Sequence, residues 1–479
     1  MKRILLCCLL FTILLAVCHA QSITVKCYPD SIIKDVPNHP IGINLDFFMD
    51  GGRFPKAKFS VQEDLKKMGM KFLRYPGGEK SDLYLFSVPP YDKSLPNLAR
   101  TAGLDDYPEV ITKDKKGFTY DPLDFDGFMA VCKANNAEPV IVVAADCYLL
   151  NTKPGERIST KEELIRNAVE WVRYANIKKR YGVKYWMIGN ESWNSNNQNS
   201  NVNIYAQDVI DFSKAMKAID PTILTIANGA GDDFFKTVIQ KAGDYFDRLC
   251  VSNYGVNNFF RGYDTYKDTT QDLITPAETA LQAMNKYATK DQLKKFKMIV
   301  AEFGSIDWAN HWKGTNDMGH AIVVFDMAGQ LIAQPQIEYS CFWNTRWIEN
   351  ESSPGRDHDA LDKDGNINPT GMALMIWGRF MGKKIIRTSS CAPLISYACT
   401  DKGRLLLYLI NKTEKQQQIK LDLTDYKVNK LYQAWEYYGK SESDTSPVWQ
   451  KKDVQNKSGY LLKPFSINVI DLKIDPLTK

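Results

Sequence analysis

Histidine is scarce: there are five in 479 residues, and one of them lies within the first twenty. The other four, His39, His311, His320 and His358, show no HExxH or comparable ligand spacing. Neither a zinc centre nor a Ser-His-Asp triad is therefore supported. A surplus of charge is also missing. Lys and Arg number 61 against 56 Asp and Glu, a balance that gives no reason to expect nucleic acid or an anionic membrane as partner. Beyond the N-terminus no stretch reaches about 18 apolar residues, so no membrane span is expected. Ten cysteines at irregular spacing, with no CxxC after the first twenty residues, do not make a disulfide framework. Cys132, Cys250 and Cys341 sit within apolar segments, as small core residues do; Cys391 and Cys399 are placed to pair in an oxidising compartment. Internal repeats and low-complexity linkers are absent. The ordinary balance of 44% hydrophobic and 24% charged residues excludes a disordered or fibrous chain.

The one long apolar run stands at the start. Lys2 and Arg3 precede Ile4–Val17, and Cys18-His19-Ala20 puts small residues at the −3 and −1 positions of a cut before Gln21. That is the layout of an export signal, so residues 1–20 are expected to be removed. Leu15-Ala16-Val17-Cys18 has the outline of a lipobox, but Val17 is bulkier than the Gly, Ala or Ser such a site takes. Soluble export, to the periplasm or beyond, is expected rather than a lipid anchor at Cys18.

From residue 41 to 382, short β-rich runs alternate with helical patterns. The runs are Ile41–Leu45, Lys71–Tyr75, Pro139–Ala144, Tyr185–Ile188, Ile223–Ala227, Arg248–Ser252, Met298–Ala301 and Tyr339–Trp343. Most are almost continuously apolar, as parallel strands covered on both faces are. Ser60-Val61-Gln62-Glu63 has the capping-box pattern of a helix start. Ser159–Lys179, Val202–Ile219, Thr275–Tyr287, Gly314–Ile332 and Thr370–Met381 follow at helical spacing. The alternation predicts an α/β fold, a (β/α)8 TIM barrel over 41–382. An open doubly wound sheet would bring a Gly-rich phosphate loop after its first strand, where Asn44-Leu45-Asp46-Phe47 stands instead. After Gly382 the helical period stops. Leu405–Leu409, Gln418–Leu423, Tyr432–Tyr437 and Ser466–Leu472 read as strands of a smaller all-β sandwich over 383–479. Ser22–Cys27 is strand-like too, and the segment 21–40 is expected to add a strand to that sandwich.

In such a barrel, chemistry sits at the C-terminal ends of the strands. The fourth strand runs into Gly189-Asn190-Glu191 and the seventh into Glu302-Phe303-Gly304. Each Glu follows residues that should be buried, where an unpaired carboxylate is costly. Two carboxyl groups meeting across the barrel mouth suit cleavage of a glycosidic bond. One is held protonated to assist the leaving oxygen, and the other, ionised, meets the oxocarbenium-like centre. Apolar neighbours would raise Glu191, while Arg74, at the end of the second strand, would keep Glu302 ionised. Trp343, ending the eighth strand, is a candidate floor under a sugar ring. Asp46 and Asp146, ending the first and third, are candidates for binding hydroxyls. Trp193, Trp308, Trp312 and Trp347 fall in loops at the same face and suggest further stacking. Asp362-Lys363-Asp364-Gly365 lacks the later Glu of a calcium loop and reads as a turn. Nothing in the pattern asks for a cofactor or metal.

Tyr185-Trp186-Met187-Ile188-Gly189-Asn190-Glu191 resembles the acid/base signature of the clan A retaining glycoside hydrolases. There the Asn binds the sugar 2-hydroxyl and the Glu is the general acid/base. Glu302, in Ile299-Val300-Ala301-Glu302-Phe303-Gly304, sits where that clan places its nucleophile. Asn253-Tyr254, at the end of the sixth strand, matches a position that commonly touches the nucleophile. Phe72-Leu73-Arg74-Tyr75-Pro76-Gly77-Gly78 resembles the second strand of the family 51 α-L-arabinofuranosidases. Trp343-Asn344-Thr345-Arg346-Trp347, Pro369-Thr370-Gly371 and the trailing sandwich fit that group as well. One departure is Glu79, where family 51 usually has Asn. Gly78-Glu79-Lys80-Ser81-Asp82-Leu83 is closer to the family 79 heparanases and β-glucuronidases, whose loop runs Gly-Gly-Thr-x-x-Asp. The resemblance implies an exported retaining enzyme acting on an oligosaccharide or polysaccharide, with arabinofuranosidase-like action foremost. A β-glucuronidase or heparanase-like enzyme and an endo-acting agarase-like enzyme are alternatives, as is a non-catalytic carbohydrate-binding barrel.

Overall fold

The computed structural model describes residues 22–100, 118–194, 201–269, 271–347, 357–389, 392–454 and 459–477. The expected leader, its lipobox alternative at Cys18, and Cys391 lie outside these residues.

The chain opens with β1 (Ile23–Asp35) and then enters the barrel. Its strands in order are β2 (Ile41–Asn44), β3 (Phe72–Tyr75), then, after a small hairpin of β4 (Tyr84–Leu85) and β5 (Asn97–Leu98), β6 (Glu138–Val143), β7 (Tyr185–Ile188), β8 (Leu224–Asn228), β9 (Arg248–Asn253), β10 (Lys297–Phe303) and β11 (Ile337–Phe342). The eight barrel strands are parallel and close in the order β10-β11-β2-β3-β6-β7-β8-β9. All eight sequence-predicted runs are barrel strands, shifted by a few residues at their ends. Inward-facing Phe72, Val140, Val142, Met187, Ile226, Cys250, Ile299, Ala301, Tyr339 and Cys341 fill the interior as one cluster. The Phe72 and Tyr339 rings stack 4.0 Å apart. The barrel is thus a packed core whose upper layer is polar, and that upper layer is the site.

The helices are α1 (Val61–Met68), α2 (Phe125–Asn135), α3 (Lys161–Val172), α4 (Val202–Lys217), α5 (Asp232–Ala242), α6 (Tyr263–Lys267), α7 (Thr275–Tyr287), α8 (Lys290–Lys295), α9 (Met318–Ala333) and α10 (Pro369–Arg379). At α1 the capping box is complete: Ser60 accepts from the Glu63 N–H and Glu63 accepts from the Ser60 N–H. Four helices were not read from the sequence, α2, α5, α6 and α8. α2 is apolar on more than one face, α5 spans eleven residues, and α6 and α8 span only five and six, so none has a long clean period. The predicted helix 159–179 is α-helical only to Val172 and widens into a π-helical turn over Arg173–Lys178. α9 is buried over almost all its length because it lies between the barrel and the second domain; a helix apolar on every side has no face for water.

The remaining strands are β12 (Lys384–Thr388), β13 (Leu394–Asp401), β14 (Arg404–Asn411), β15 (Gln417–Asp422), β16 (Tyr426–Tyr438), β17 (Val448–Lys451), β18 (Gly459–Leu462) and β19 (Ser466–Pro476). They make eight where the sequence suggested four. The sheet order is β17-β16-β19-β14-β13-β12-β1-β15-β18. β1 is the hinge of this sheet: Ile23–Lys26 pair in parallel with β15, and after Cys27 the strand pairs with β12 through two register shifts. Val25, Cys27, Ile386, Leu405, Leu407, Ile419, Ile470 and Leu472 lie in the core between its layers. Cys399 is a buried free thiol whose sulfur accepts from the Gly382 N–H at 2.8 Å.

The two domains meet on α9 and α10. The Trp377 and Tyr408 rings lie 4.4 Å apart. Asp326, buried on α9, accepts from Tyr266 at 2.9 Å on the barrel side and from Tyr397 on the sandwich side. Burial raises the Asp326 carboxyl, and the two phenol donors oppose the rise. Gly329 leaves room for Tyr397, since a Cβ there would come within 2.6 Å of its ring. No helix among the described residues is long and apolar enough to cross a membrane.

Candidate active site

Arg74 is the centre of the upper layer. It ends β3 with 1% of its surface exposed, and both of its Nη groups donate within the site. Nη1 donates to Glu302 Oε1 at 3.0 Å and to Asn44 Oδ1 at 2.6 Å, and Nη2 donates to Asn190 Oδ1 at 2.5 Å. Asn44 in turn donates to the carbonyls of Ala301 and Phe342 at 3.0 and 3.1 Å. The guanidinium therefore ties the first, second, fourth and seventh barrel strands together through their C-terminal ends. The sequence reading missed Asn44, although an Asn inside an apolar strand was its signal.

Glu302 ends β10 and is 5% exposed. Besides Arg74 it accepts from the Tyr254 hydroxyl, at 2.8 Å on Oε2. Two donors, one of them cationic, fix both carboxylate oxygens. Gly78 lies directly over this group. A Cβ at Gly78 would stand 2.8 Å from Glu302 Oε1 and 2.5 Å from Trp343 Cη2. The backbone after β3 thus passes between the nucleophile candidate and the Trp343 ring, where only glycine fits.

Glu191 follows β7 in a left-handed backbone conformation, φ 43°. Its turn is held from below. Asn228 donates to the carbonyls of Ile188 and Gly189 at 3.1 and 3.2 Å and accepts from the Ser192 N–H at 2.8 Å. Tyr205 donates to the Ile188 carbonyl at 2.9 Å, and Asp82 accepts from the Asn190 N–H at 3.1 Å. Burial, and then the charge of Glu302, push the Glu191 carboxyl up to about 7; hydrogen bonds from Ser252 and Asn194 oppose the rise. The two carboxyl groups are therefore near enough for the charge of Glu302 to act on Glu191. Asn228, Tyr205 and Asp82 act through the backbone, which is why no spacing pattern announced them.

The remaining candidates divide. Asp46 is buried beneath the site. Its Oδ2 accepts from Asn344 at 3.0 Å, and its Oδ1 has no protein partner. Burial, together with Asp50 and Asp359, raises its carboxyl well above the ordinary range. Asp146 is buried after β6 and neighbours Asp82, whose carboxyl is also raised well above its ordinary value by burial and then by Asp146. Asn253 points away from the mouth: it donates to the Leu273 carbonyl at 2.9 Å and accepts from the Ala277 N–H at 3.3 Å, capping α7. Its expected role at the substrate is replaced by a structural one. Trp343, Trp347 and Trp308 form a run of edge-to-face rings 5.7 and 5.5 Å apart, and Trp308 meets Tyr254 at 5.4 Å. Trp312, expected with them, instead stacks on His320 at 3.6 Å and packs against Phe259. Asp362 closes a turn on the N–H groups of Asp364 and Asn366.

Comparison with known proteins gives a consistent picture. Residues 64–272 match the family model of the alpha-L-arabinofuranosidase 1 domain. The probable alpha-L-arabinofuranosidase C of Aspergillus niger is 27% identical over 185 residues, 35% of this chain and 32% of that protein. The chain thus aligns with about a third of the length of that curated relative. The alpha-L-arabinofuranosidase of Thermotoga maritima has the same fold, with a TM-score of 0.66 at 17% identity over 94% of this chain and 99% of that one. The family 51 enzyme of Thermotoga petrophila gives 0.67 at 17% identity, covering 94% and 100%. A Paenibacillus polymyxa xyloglucanase from glycoside hydrolase family 44 gives 0.61 at 14% identity, covering 94% and 99%. In sequence over residues 64–272 and in fold over nearly its whole length, the chain resembles the family 51 α-L-arabinofuranosidases.

Proposed function

We propose that the protein is an exported, retaining glycoside hydrolase that removes α-L-arabinofuranosyl groups from oligosaccharides or polysaccharides. The observation that carries the hydrolase reading is the different surroundings of two neighbouring carboxyl groups. Glu302 receives Arg74 and Tyr254 at 3.0 and 2.8 Å, whereas Glu191 is pushed up to about 7. A carboxyl held by a cation and a phenol suits the nucleophile, and a carboxyl raised by burial suits the acid.

In this mechanism Glu302 attacks the anomeric carbon as Glu191 gives its proton to the leaving oxygen. A glycosyl ester forms on Glu302. Glu191, now ionised, takes a proton from water, which attacks the same carbon and frees Glu302 with the sugar configuration retained. Arg74 can only donate, so the Asn190 atom facing it at 2.5 Å is Oδ1. The Asn190 NH2 group is left to donate to the sugar 2-hydroxyl. Trp343, fixed under Gly78, gives the ring an apolar floor.

Arg74, the cation beside Glu302, is committed to Glu302, Asn44 and Asn190 and is not free to pair with the carboxylate of a uronate, which favours a neutral sugar. A panel of aryl glycosides tests the reading. Turnover of the α-L-arabinofuranoside well above the β-D-glucuronide is expected. Preference for the glucuronide, action on agarose-type polymers alone, or binding without turnover would each replace it with one of the other readings.

A further inference from the structure

Two adjacent phenylalanines in the loop after β9 are treated oppositely. Phe259 is buried, with its ring 5.6 Å from Trp312, while Phe260 is 69% exposed. The Phe260 ring leans on His311, in the loop after β10, with centroids 4.3 Å apart. These loops are fastened at many points. Asp307, itself buried, accepts from the N–H groups of Ala309, His311 and Trp312 at 2.8, 2.7 and 2.8 Å. The Trp308 N–H donates to Asn257 Oδ1 at 3.2 Å, and His311 Nδ1 lies 3.1 Å from the Asn257 carbonyl. Gly262, at φ 56°, brings the backbone so close to Trp312 that a Cβ would stand 3.1 Å from its ring. The exposure of Phe260 is therefore built in. The same loop after β10 reaches the site: Trp308, 37% exposed, meets Tyr254, whose hydroxyl is on Glu302.

We infer that Phe260, braced by His311, is a stacking site for a sugar of the polysaccharide chain outside the pocket. This rests on the reading of the pocket as a glycoside hydrolase and specifies its substrate as a polymer. A flat ring held rigidly towards water suits the C–H face of a sugar and loses little entropy on binding. Exposed polar residues stand beside it in the two loops, Asn257, Asn258 and Arg261 near Phe260 and Asn310 next to His311. A protein partner would call for a broader apolar patch than one ring within a polar rim.

The test uses the full chain with two probes. Soluble arabinoxylan or branched arabinan in a native gel reports polymer binding, and 4-nitrophenyl α-L-arabinofuranoside reports chemistry at the pocket. Wild-type protein should be retarded by at least one polymer. Phe260→Ala should weaken that retardation about threefold to tenfold, and Phe260→Tyr should keep it. Hydrolysis of the aryl glycoside should stay within about twofold in both variants. Absence of retardation, equal retardation of wild type and Phe260→Ala, or a parallel loss of aryl glycoside turnover would each overturn the inference. Ring-dependent retardation by a wild-type protein inert on aryl glycosides would instead support the stacking site and remove the hydrolase reading.

Discussion

Replacing Glu191 with Gln should make the protein more stable at neutral pH while destroying its chemistry. The ordinary value for this carboxyl is 4.5, and burial together with the Glu302 charge moves it to about 7. The folded state therefore holds the proton more tightly than the unfolded state between those values. An acid raised in this way costs nothing below about 4.5. The cost grows as pH rises to about 7 and is constant above that. At ~1.4 kcal/mol per unit the full cost at pH 8 is about 3 kcal/mol, against about 1 kcal/mol at pH 5. Water in the mouth screens part of this, so a gain of about 1–3 kcal/mol is expected at pH 8. Glutamine keeps the shape, has no charge to bury and removes the repulsion with Glu302. Scanning calorimetry of Glu191→Gln beside wild type at pH 5 and pH 8 measures the effect. The midpoint should rise by about 2–5 °C at pH 8 and by distinctly less at pH 5. An equal shift at both pH values, or a lower midpoint at pH 8, would refute the reasoning.

Three other substitutions probe the support of the site and the domain junction. Tyr254→Phe removes one of the two donors on Glu302 and should lower kcat about 10²-fold with little change in KM, as measured on an aryl glycoside. Gly78→Ala puts a methyl group 2.5 Å from the Trp343 ring and 2.8 Å from Glu302 Oε1. A displacement of that size should cost about 10²-fold in kcat/KM while circular dichroism shows an unchanged fold. Tyr397→Phe takes the sandwich-side donor from buried Asp326 and should lower unfolding free energy by about 1–3 kcal/mol in urea titration.

The barrel was legible because its strands are buried on both faces. Runs such as Val140–Val143 and Ile299–Ala301 are apolar without interruption, and the period changes cleanly to helical spacing between most of them. Helices such as α2 escaped because apolar residues on several faces blur the period. The sandwich was half legible: of the strands not read, β12, β17 and β18 are only four or five residues long. At the site, residues whose side chains bear the proposed chemistry stood out as Glu, Arg, Tyr and Trp at strand ends. Residues that act through the backbone did not. Asn228 and Asp82 serve carbonyls and N–H groups, and Gly78 serves by having no side chain. Asn253 shows the converse error. A polar residue at a strand end faced the neighbouring helix because its amide satisfies that helix's first turn.

The division of roles between Glu302 and Glu191 is tested most directly by Glu191→Ala on a 2,4-dinitrophenyl α-L-arabinofuranoside with added azide. The leaving group needs no protonation, so the glycosyl ester on Glu302 still forms, and a small anion needs no general base to release it. The account predicts a rate that rises with azide and an α-L-arabinofuranosyl azide, of the same anomeric configuration as the substrate, as the product. No rescue, or a β-configured azide formed instead, would contradict it.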